Sequence, residues 1–373
     1  MKDKWNIMLL NSALHIGGAE EVIAHLAANL DHGHFRVFVC YLKEGGLVAE
    51  RMIRNDIHVV GVHSAETGST NYLTSLQLRR LIRRLNIHLV HSHSLHAFID
   101  GSICRLLTPS LRYIHTFHFG NYPKRRFRYR WIEKMLWRIP DQLVVVGQNQ
   151  KTAIQKTYKI PEYRLSRIYN GVAKKTVQLS NEIRKLSITD DTLIFGCIST
   201  LTEQKGLFHL LEAVKILARK KKKFVLLLVG EGHLREPLQH RARLLRIESW
   251  VHFLGWVPEA AVSALPRFDV FVQSSLWEAM SMVVLEAMAY GKPLLATRVG
   301  ENARIIDDGV NGILVPPGNS KALAEGMERL MEDANLRLRL GRAAQAIFED
   351  EFTADRMTEN YSNLYKKLLV SKR

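Results

Sequence analysis

Two glutamates, Glu278 and Glu286, stand eight positions apart around an apolar stretch in SSLWEAMSMVVLEAMAYGKP, residues 274–293. Ser281 reads as the N-cap of a helix running from Met282 through Ala289, with Gly291 as its C′ glycine. That leaves Glu278 in the loop before the helix and Glu286 about one turn inside it. Eight residues of helix span about 12 Å, roughly the reach from a sugar ring across a pyrophosphate to a ribose. Free N–H groups at a helix start suit the pyrophosphate, and an acid at each end suits the two sets of hydroxyls. Taken alone, the spacing is more simply that of two surface acids.

Other residues raise the chemical interest. STLTEQKGLFHLLEAV sets Lys205 and Gly206 after an apolar run and just before a helix, a place from which a cation can grip phosphate. LLLVGEGHLREPL carries Gly230 and Gly232 at a similar junction. Near the start, NSALHIGGAEEVIAHLAANL places Gly17-Gly18 in a tight turn before a helix from Ala19, where backbone can approach a phosphate. A turn needing positive φ explains that pair equally well, and GxGxxG is absent. VHSHSLH and IHTFH bring His91, His93, His96, His115 and His118 to the ends of two apolar runs. No acid or cysteine interleaves with them, and His-x-His fixes no third ligand, so metal is disfavoured. Partly buried, hydrogen-bonded imidazoles are the plainer reading for most of the five; His118 is set apart below.

Short apolar runs must position these residues: 5–10, 35–41, 57–62, 87–92, 111–116 and 141–147, then 193–199, 224–230, 250–256, 268–274, 293–299 and 312–317. Their near-continuous hydrophobicity is that of parallel strands buried on both faces. Amphipathic segments such as 207–217, with Leu207, Leu210, Leu211, Val214 and Leu217 on one stripe, supply the crossovers. Two successive α/β sets in 373 residues imply two doubly wound domains joined within the polar stretch 170–191. Residues 352–369 read as one more helix, and RKKKK at 219–223 as a solvated helix end.

A hydrophobic content of 47% with 24% charged residues is that of a soluble globular chain. No run approaches the roughly 18 apolar residues of a membrane span, and the opening MKDKWNIMLLNS lacks the h-region of a signal peptide. Cys40, Cys104 and Cys197 are scattered, which fits a reducing cytoplasm. The net charge of +17 calls for an anionic partner: phosphorylated substrate, anionic membrane or nucleic acid.

GGAEEV, HTFH, NGV at 170–172, KG at 205–206, VGEGHL, GWVPEA, EAMSMVVLEAMAYGKPLLATRVG and IIDDGVNGILVPPG together resemble the retaining, nucleotide-sugar-dependent glycosyltransferase family 4, or group 1. The resemblance covers almost the whole chain, and its long second-half block is the specific part. It implies the α/β GT-B fold: an acceptor domain over 1–172 and a donor domain over 173–350, facing each other, with a helix over 351–373 returning to the first. Glu278 would contact the donor hexose. The backbone of Ala279, Met280, Ser281, Met282 and Val283 would hold its hydroxyls and the diphosphate. Glu286 would hold the ribose diol, the backbone around Val257 would touch the base, and Lys205 would neutralise the leaving diphosphate. Gly17 and Gly18 would close on the phosphates, and His118 would sit by the reacting sugar. The donor implied is UDP- or GDP-linked and the acceptor a saccharide or lipid-linked saccharide. The resemblance implies no cofactor and no metal, and an internal return in which the leaving phosphate takes the acceptor's proton.

Three positions depart from the family pattern. Thr200 stands where a phosphate-binding arginine is usual, Arg304 replaces a glutamate, and Ala173 replaces an aspartate. Arg304 would then compensate for the cation lost at Thr200; otherwise the loss marks a weakened enzyme. Two basic stretches, 78–87 and 122–138, the second interleaved with aromatics, suit the anionic inner face of the cell membrane. The competing reading has arginines solvating helix faces while the aromatics pack inward. No RNA-binding motif accompanies them, so nucleic acid is not expected. The expectation is a hexosyltransferase of cell-surface glycan synthesis, cytoplasmic and peripheral on that face. Its rivals are a sugar-nucleotide epimerase and a catalytically weak membrane or nucleic-acid binder on the same scaffold. Base, sugar and acceptor would be set in loops such as 63–72 and 119–130.

Overall fold

The computed structural model describes residues 4–15, 17–62, 74–122, 125–186, 188–189, 191–220 and 223–371. The loop 63–72, residues 123–124 of the second basic stretch and 221–222 of the lysine run lie outside them. The chain divides into two compact units, one of residues 1–173 with 354–373, the other of residues 174–353.

Unit 1 is built on β1 (Trp5–Ala13), β2 (Phe35–Glu44), β3 (His58–Gly61), β4 (Leu89–Ser92), β5 (Arg112–Phe117), β6 (Gln142–Val145) and β7 (Leu165–Arg167). They form one sheet in the order β3-β2-β1-β4-β5-β6-β7, parallel throughout. Unit 2 carries β8 (Leu193–Ile198), β9 (Phe224–Val229), β10 (Val251–Gly255), β11 (Val270–Gln273), β12 (Leu294–Thr297) and β13 (Ile313–Val315). Their order is β10-β9-β8-β11-β12-β13, again parallel. Every apolar run named from the sequence is a strand; β7, three residues long, has too little apolar character to announce itself.

Both orders reverse direction once, between β1 and β4 and between β8 and β11. Loops leaving the carboxyl ends of strands diverge at such a reversal and leave a crevice, where open α/β sheets take their ligands. The residues singled out from the sequence follow these strand ends. Burial explains why the sheets hold. The helix Leu207–Ala218 buries Leu207, Leu210, Leu211, Val214 and Leu217 in the unit 2 core, each stabilising by about 1.5–3 kcal/mol. The C-terminal helix, Ala354–Val370, belongs to unit 1, where Tyr361 and Tyr365 are fully buried. Its Tyr365 hydroxyl meets His91 Nδ1 at 2.5 Å and its Tyr361 hydroxyl meets Thr116 at 3.2 Å.

Candidate functional site

In unit 2 the loop after β8 curls through a short turn, Glu203–Lys205, and ends at Gly206 with φ +60°. Gly206 is required twice over: left-handed backbone disfavours other residues, and a Cβ there would collide with the Ser274 carbonyl. This close approach lets the loops after β8 and β11 lace together. Leu276 N–H donates to Gln204 O at 2.7 Å, and Ser274 Oγ donates to Lys205 O at 2.8 Å. Lys205 Nζ thereby reaches Glu278 Oε1 at 2.6 Å, with side chains only 19% and 8% exposed. Ser275 Oγ donates to the same carboxylate oxygen at 2.8 Å, and Gln204 Nε2 to the other at 3.2 Å. The sequence reading assigns Lys205 and Glu278 to separate parts of a ligand; in the structure they bind each other. A buried pair of this kind holds both groups in place, and loss of either leaves a desolvated charge.

The loop after β12 clasps the same segment. Gly300, at φ +50°, leaves no room for a Cβ beside the Glu278 and Ala279 carbonyls, and Glu301 N–H donates to Ala279 O at 2.9 Å. The helix beyond Glu278 spans Met282–Ala289, and Gly291 follows at φ +62°. Ser281 occupies the N-cap position but does not cap. Its hydroxyl is engaged by Gln273 Nε2 at 2.8 Å, and Asn302 Nδ2 donates in turn to Gln273 Oε1. The first-turn N–H groups therefore keep no side-chain cap, the arrangement that favours an anion. The 12 Å estimate also needs correcting, because only the step from Met282 to Glu286 is helical, about 6 Å. Ala279, Met280 and Met282 are buried, while Val283 and Glu286 are half-buried. Val257 is buried after β10, whose last residue takes Gly230 N–H at 2.7 Å. Thr200 is exposed, and Arg304 is exposed at the end of the four-residue helix Asn302–Ile305.

In unit 1, Gly17 is extended at φ −175° and the helix starts at Gly18 rather than Ala19. Neither glycine takes positive φ, so a left-handed turn does not account for the pair. Over Gly17 lies the Glu20 carboxylate, held by Asn11 Nδ2 at 2.8 Å and pushed up in pKa by burial. At the ends of β4 and β5 and just beyond them the histidines separate into roles. His91 lies between Tyr365 and Thr116, and His115 pairs with Ser92 at 2.9 Å while stacked on Phe98. These two are internal. His93 Nδ1 and His118 Nε2 meet at 3.0 Å. Burial holds His91, His93 and His115 well below the ordinary imidazole range and brings His118 down to about 4, so all four are neutral at pH 7. His96 is exposed at a helix start. Among the described residues no group of three or more His, Cys, Asp or Glu is arranged to hold a metal.

Residues 16–175 match the family model for Glycosyltransferase Family 4, and residues 180–347 that for Glycosyl transferases group 1. The chain belongs to the group 1, family 4 glycosyltransferases. This glycosyltransferase is 31% identical over 234 residues to the uncharacterized glycosyltransferase MJ1607 of Methanocaldococcus jannaschii, covering 60% of each chain. It is 23% identical over 312 residues, 80% of each chain, to the UDP-Gal:alpha-D-GlcNAc-diphosphoundecaprenol alpha-1,3-galactosyltransferase of Escherichia coli. Its fold is that of Anabaena Alr3699/HepE, solved in complex with UDP and glucose. The TM-score is 0.84 at 20% identity, over 98% of this chain and 100% of that one. The GT-B architecture expected of the glycosyltransferase is therefore present.

The two basic stretches also have places. Residues 78–87 fall largely on the helix Thr74–Arg84, which buries Leu78, Leu81 and Ile82, turns Arg80, Arg83 and Arg84 outward and holds Arg79 half-buried against the Leu107 carbonyl at 3.1 Å. The second holds the helix Phe127–Leu136. Tyr122 and Trp137 do pack inward, but Phe127, Trp131 and Met135, spaced by four, are 80%, 56% and 58% exposed. No helix among the described residues is long and apolar enough to cross a membrane.

Proposed function

We propose that the protein moves a hexose-type sugar from a UDP- or GDP-linked donor to a saccharide or lipid-linked acceptor, with retention, in the synthesis of a cell-surface glycan. The Lys205–Glu278 pair, set at the strand-order reversal of unit 2 beside an uncapped helix start, carries this reading. On donor binding, Lys205 turns from Glu278 to the diphosphate and the helix start supplies further positive potential, with no metal needed to offset the leaving charge. Glu278, released, accepts from hydroxyls of the hexose, and Glu286 from the ribose diol. The bond from the anomeric carbon to the phosphate oxygen breaks, and the acceptor oxygen bonds to that carbon from the same face. The acceptor's proton passes to the departing phosphate oxygen. A protein nucleophile is not called for, so no second carboxylate need lie beside Glu278.

The acceptor's setting follows from unit 1. An outward stripe of Phe127, Trp131 and Met135 flanked by Arg126, Arg128, Lys134 and Arg138 suits an anionic lipid surface. The Escherichia coli relative is named for an acceptor on a lipid diphosphate, which agrees with enzyme work at the inner face of the membrane.

The test is nucleotide release from a panel of UDP- and GDP-sugars. Turnover with at least one donor, abolished in Glu278→Ala with the fold retained, is the expected result. No turnover with any donor, together with salt-sensitive binding to anionic vesicles, would point to a binding protein on this scaffold. Rearranged sugar without transfer would point to an epimerase.

A further inference from the structure

The internal reading of the histidines accounts for His91 and His115 but leaves one atom of His93 over. Its Nε2 is buried and has no hydrogen-bond partner, which is costly for a polar atom. His93 also lines a cavity of about 150 Å³ in unit 1, together with His118, Phe117, Tyr122, Arg125 and Glu133. The charges in that wall are already matched. Arg125 lies 4.4 Å over the Phe119 ring with its Nε 3.0 Å from Glu133 Oε1. The other Glu133 oxygen accepts from the Tyr122 hydroxyl at 3.0 Å and the Tyr158 hydroxyl at 2.5 Å. Arg125 Nε makes no hydrogen bond, but its charge and that of Glu133 offset each other, so the wall carries no net charge and suits a neutral guest.

The contact between His93 and His118 adds a constraint. At 3.0 Å, two neutral imidazoles share one proton: one nitrogen donates and the other accepts. If His93 Nδ1 donates, His118 carries its proton on Nδ1 and His93 Nε2 is an acceptor. If His118 Nε2 donates, His118 Nδ1 is an acceptor and His93 Nε2 is a donor. The two rings are therefore in the same tautomer, and whatever engages His93 Nε2 selects it. Phosphate can only accept and an ammonium can only donate, whereas a hydroxyl does either.

We propose that this cavity takes a neutral, hydroxyl-bearing sugar ring with a hydroxyl on His93 Nε2, and that His93 is the positioning residue that sets which nitrogen His118 offers. The kind of ligand rests on the glycosyltransferase reading; the tautomer coupling does not. The ring belongs either to the acceptor saccharide or to the sugar of the donor, and the test separates the two.

Long-range proton–nitrogen spectra of the full chain, labelled with nitrogen-15 in histidine, report each tautomer directly. The expected result is one tautomer common to His93 and His118. Methyl glycosides of glucose, galactose and N-acetylglucosamine serve as free saccharides, and UDP-glucose and UDP-galactose as donors. A shift of the His93 Nε2 resonance with a glycoside assigns the cavity to the acceptor, and a shift with a UDP-sugar only, to the donor. His93→Phe keeps the ring volume and removes both nitrogens, so His118 becomes a mixture of tautomers and kcat/KM for transfer falls at least about tenfold. His93→Asn, which can replace Nδ1 alone, restores the single tautomer. Opposite tautomers in the two rings, or a His118 tautomer indifferent to His93→Phe, would overturn the coupling. No shift with any sugar would overturn the ligand. If His93→Phe does not fold, the wild-type tautomers decide. Failure to bind any nucleotide would instead count against the glycosyltransferase reading and leave the tautomer result standing.

Discussion

The two strand-order reversals share a topology and differ in the charges they carry. In unit 2, the loops after β8, β11 and β12 hold a lysine and a glutamate in a half-closed pair beside a bare helix start. In unit 1, the corresponding strand ends carry imidazoles kept neutral by burial; of the helix starts after β1 and β4, the first is covered by the Glu20 carboxylate and the second, at Ser94, has no side-chain cap. One crevice presents an ion pair of lysine and glutamate and the other uncharged imidazoles, which is why the proposed reading gives the diphosphate to the first and sugar hydroxyls to the second. A parallel sheet supplies a crevice of either kind, and the side chains at four or five strand ends decide which.

The largest effect that separates the two falls on charge. Lys205→Ala should lower donor turnover by about 10²–10³, the scale of losing one preorganised group at a developing charge. His118→Asn, which keeps a neutral hydrogen-bonding group, should cost less than that. Equal losses, measured as kcat on the same donor, would erase the contrast.

Backbone strain comes next. Gly206→Ala and Gly300→Ala meet both a left-handed φ and a neighbouring carbonyl, so each should destabilise by at least about 2–3 kcal/mol in a denaturant titration. Gly17→Ala meets only the movable Glu20 side chain at an extended φ, and should cost under about 1 kcal/mol. Comparable costs at all three would show that the loops of unit 2 are not the more tightly specified.

A further difference concerns pH. His91, His93, His115 and His118 have folded-state pKa values below the ordinary 6.5, so the unfolded chain protonates first on acidification. Stability is then lost as pH falls from about 6.5 toward 4, where His118 itself titrates. Hydrogen exchange, corrected for intrinsic rates, should show protection in unit 1 fading across that window before unit 2. The reverse order would contradict the placement of the buried imidazoles.

Much of this was legible beforehand because strands buried on both faces write themselves as apolar runs, and sites follow strand ends. The position of Glu278 before a helix and of Lys205 before another needed nothing more. What was not legible depends on loops from different strands choosing partners. Ser281 looks like a cap, yet Gln273 takes its hydroxyl and is itself held by Asn302, 29 residues further on. Lys205 and Glu278 are 73 residues apart, and the close approach of Gly206 to the Ser274 carbonyl makes them neighbours. In sequence His93 reads as one more buried histidine, because nothing in VHSHSLH tells which ring nitrogen the fold leaves without a partner. The compensation of Thr200 by Arg304 rests on two exposed side chains and gains no support from a contact between them.

Hydrogen exchange with and without UDP and GDP tests most directly where the diphosphate binds. The account predicts that one nucleotide slows exchange at the amides of Met282, Val283 and Val284 and in the loop 200–206. Slowing confined to Gly17–Glu20 of unit 1, or absent with both nucleotides, would contradict it.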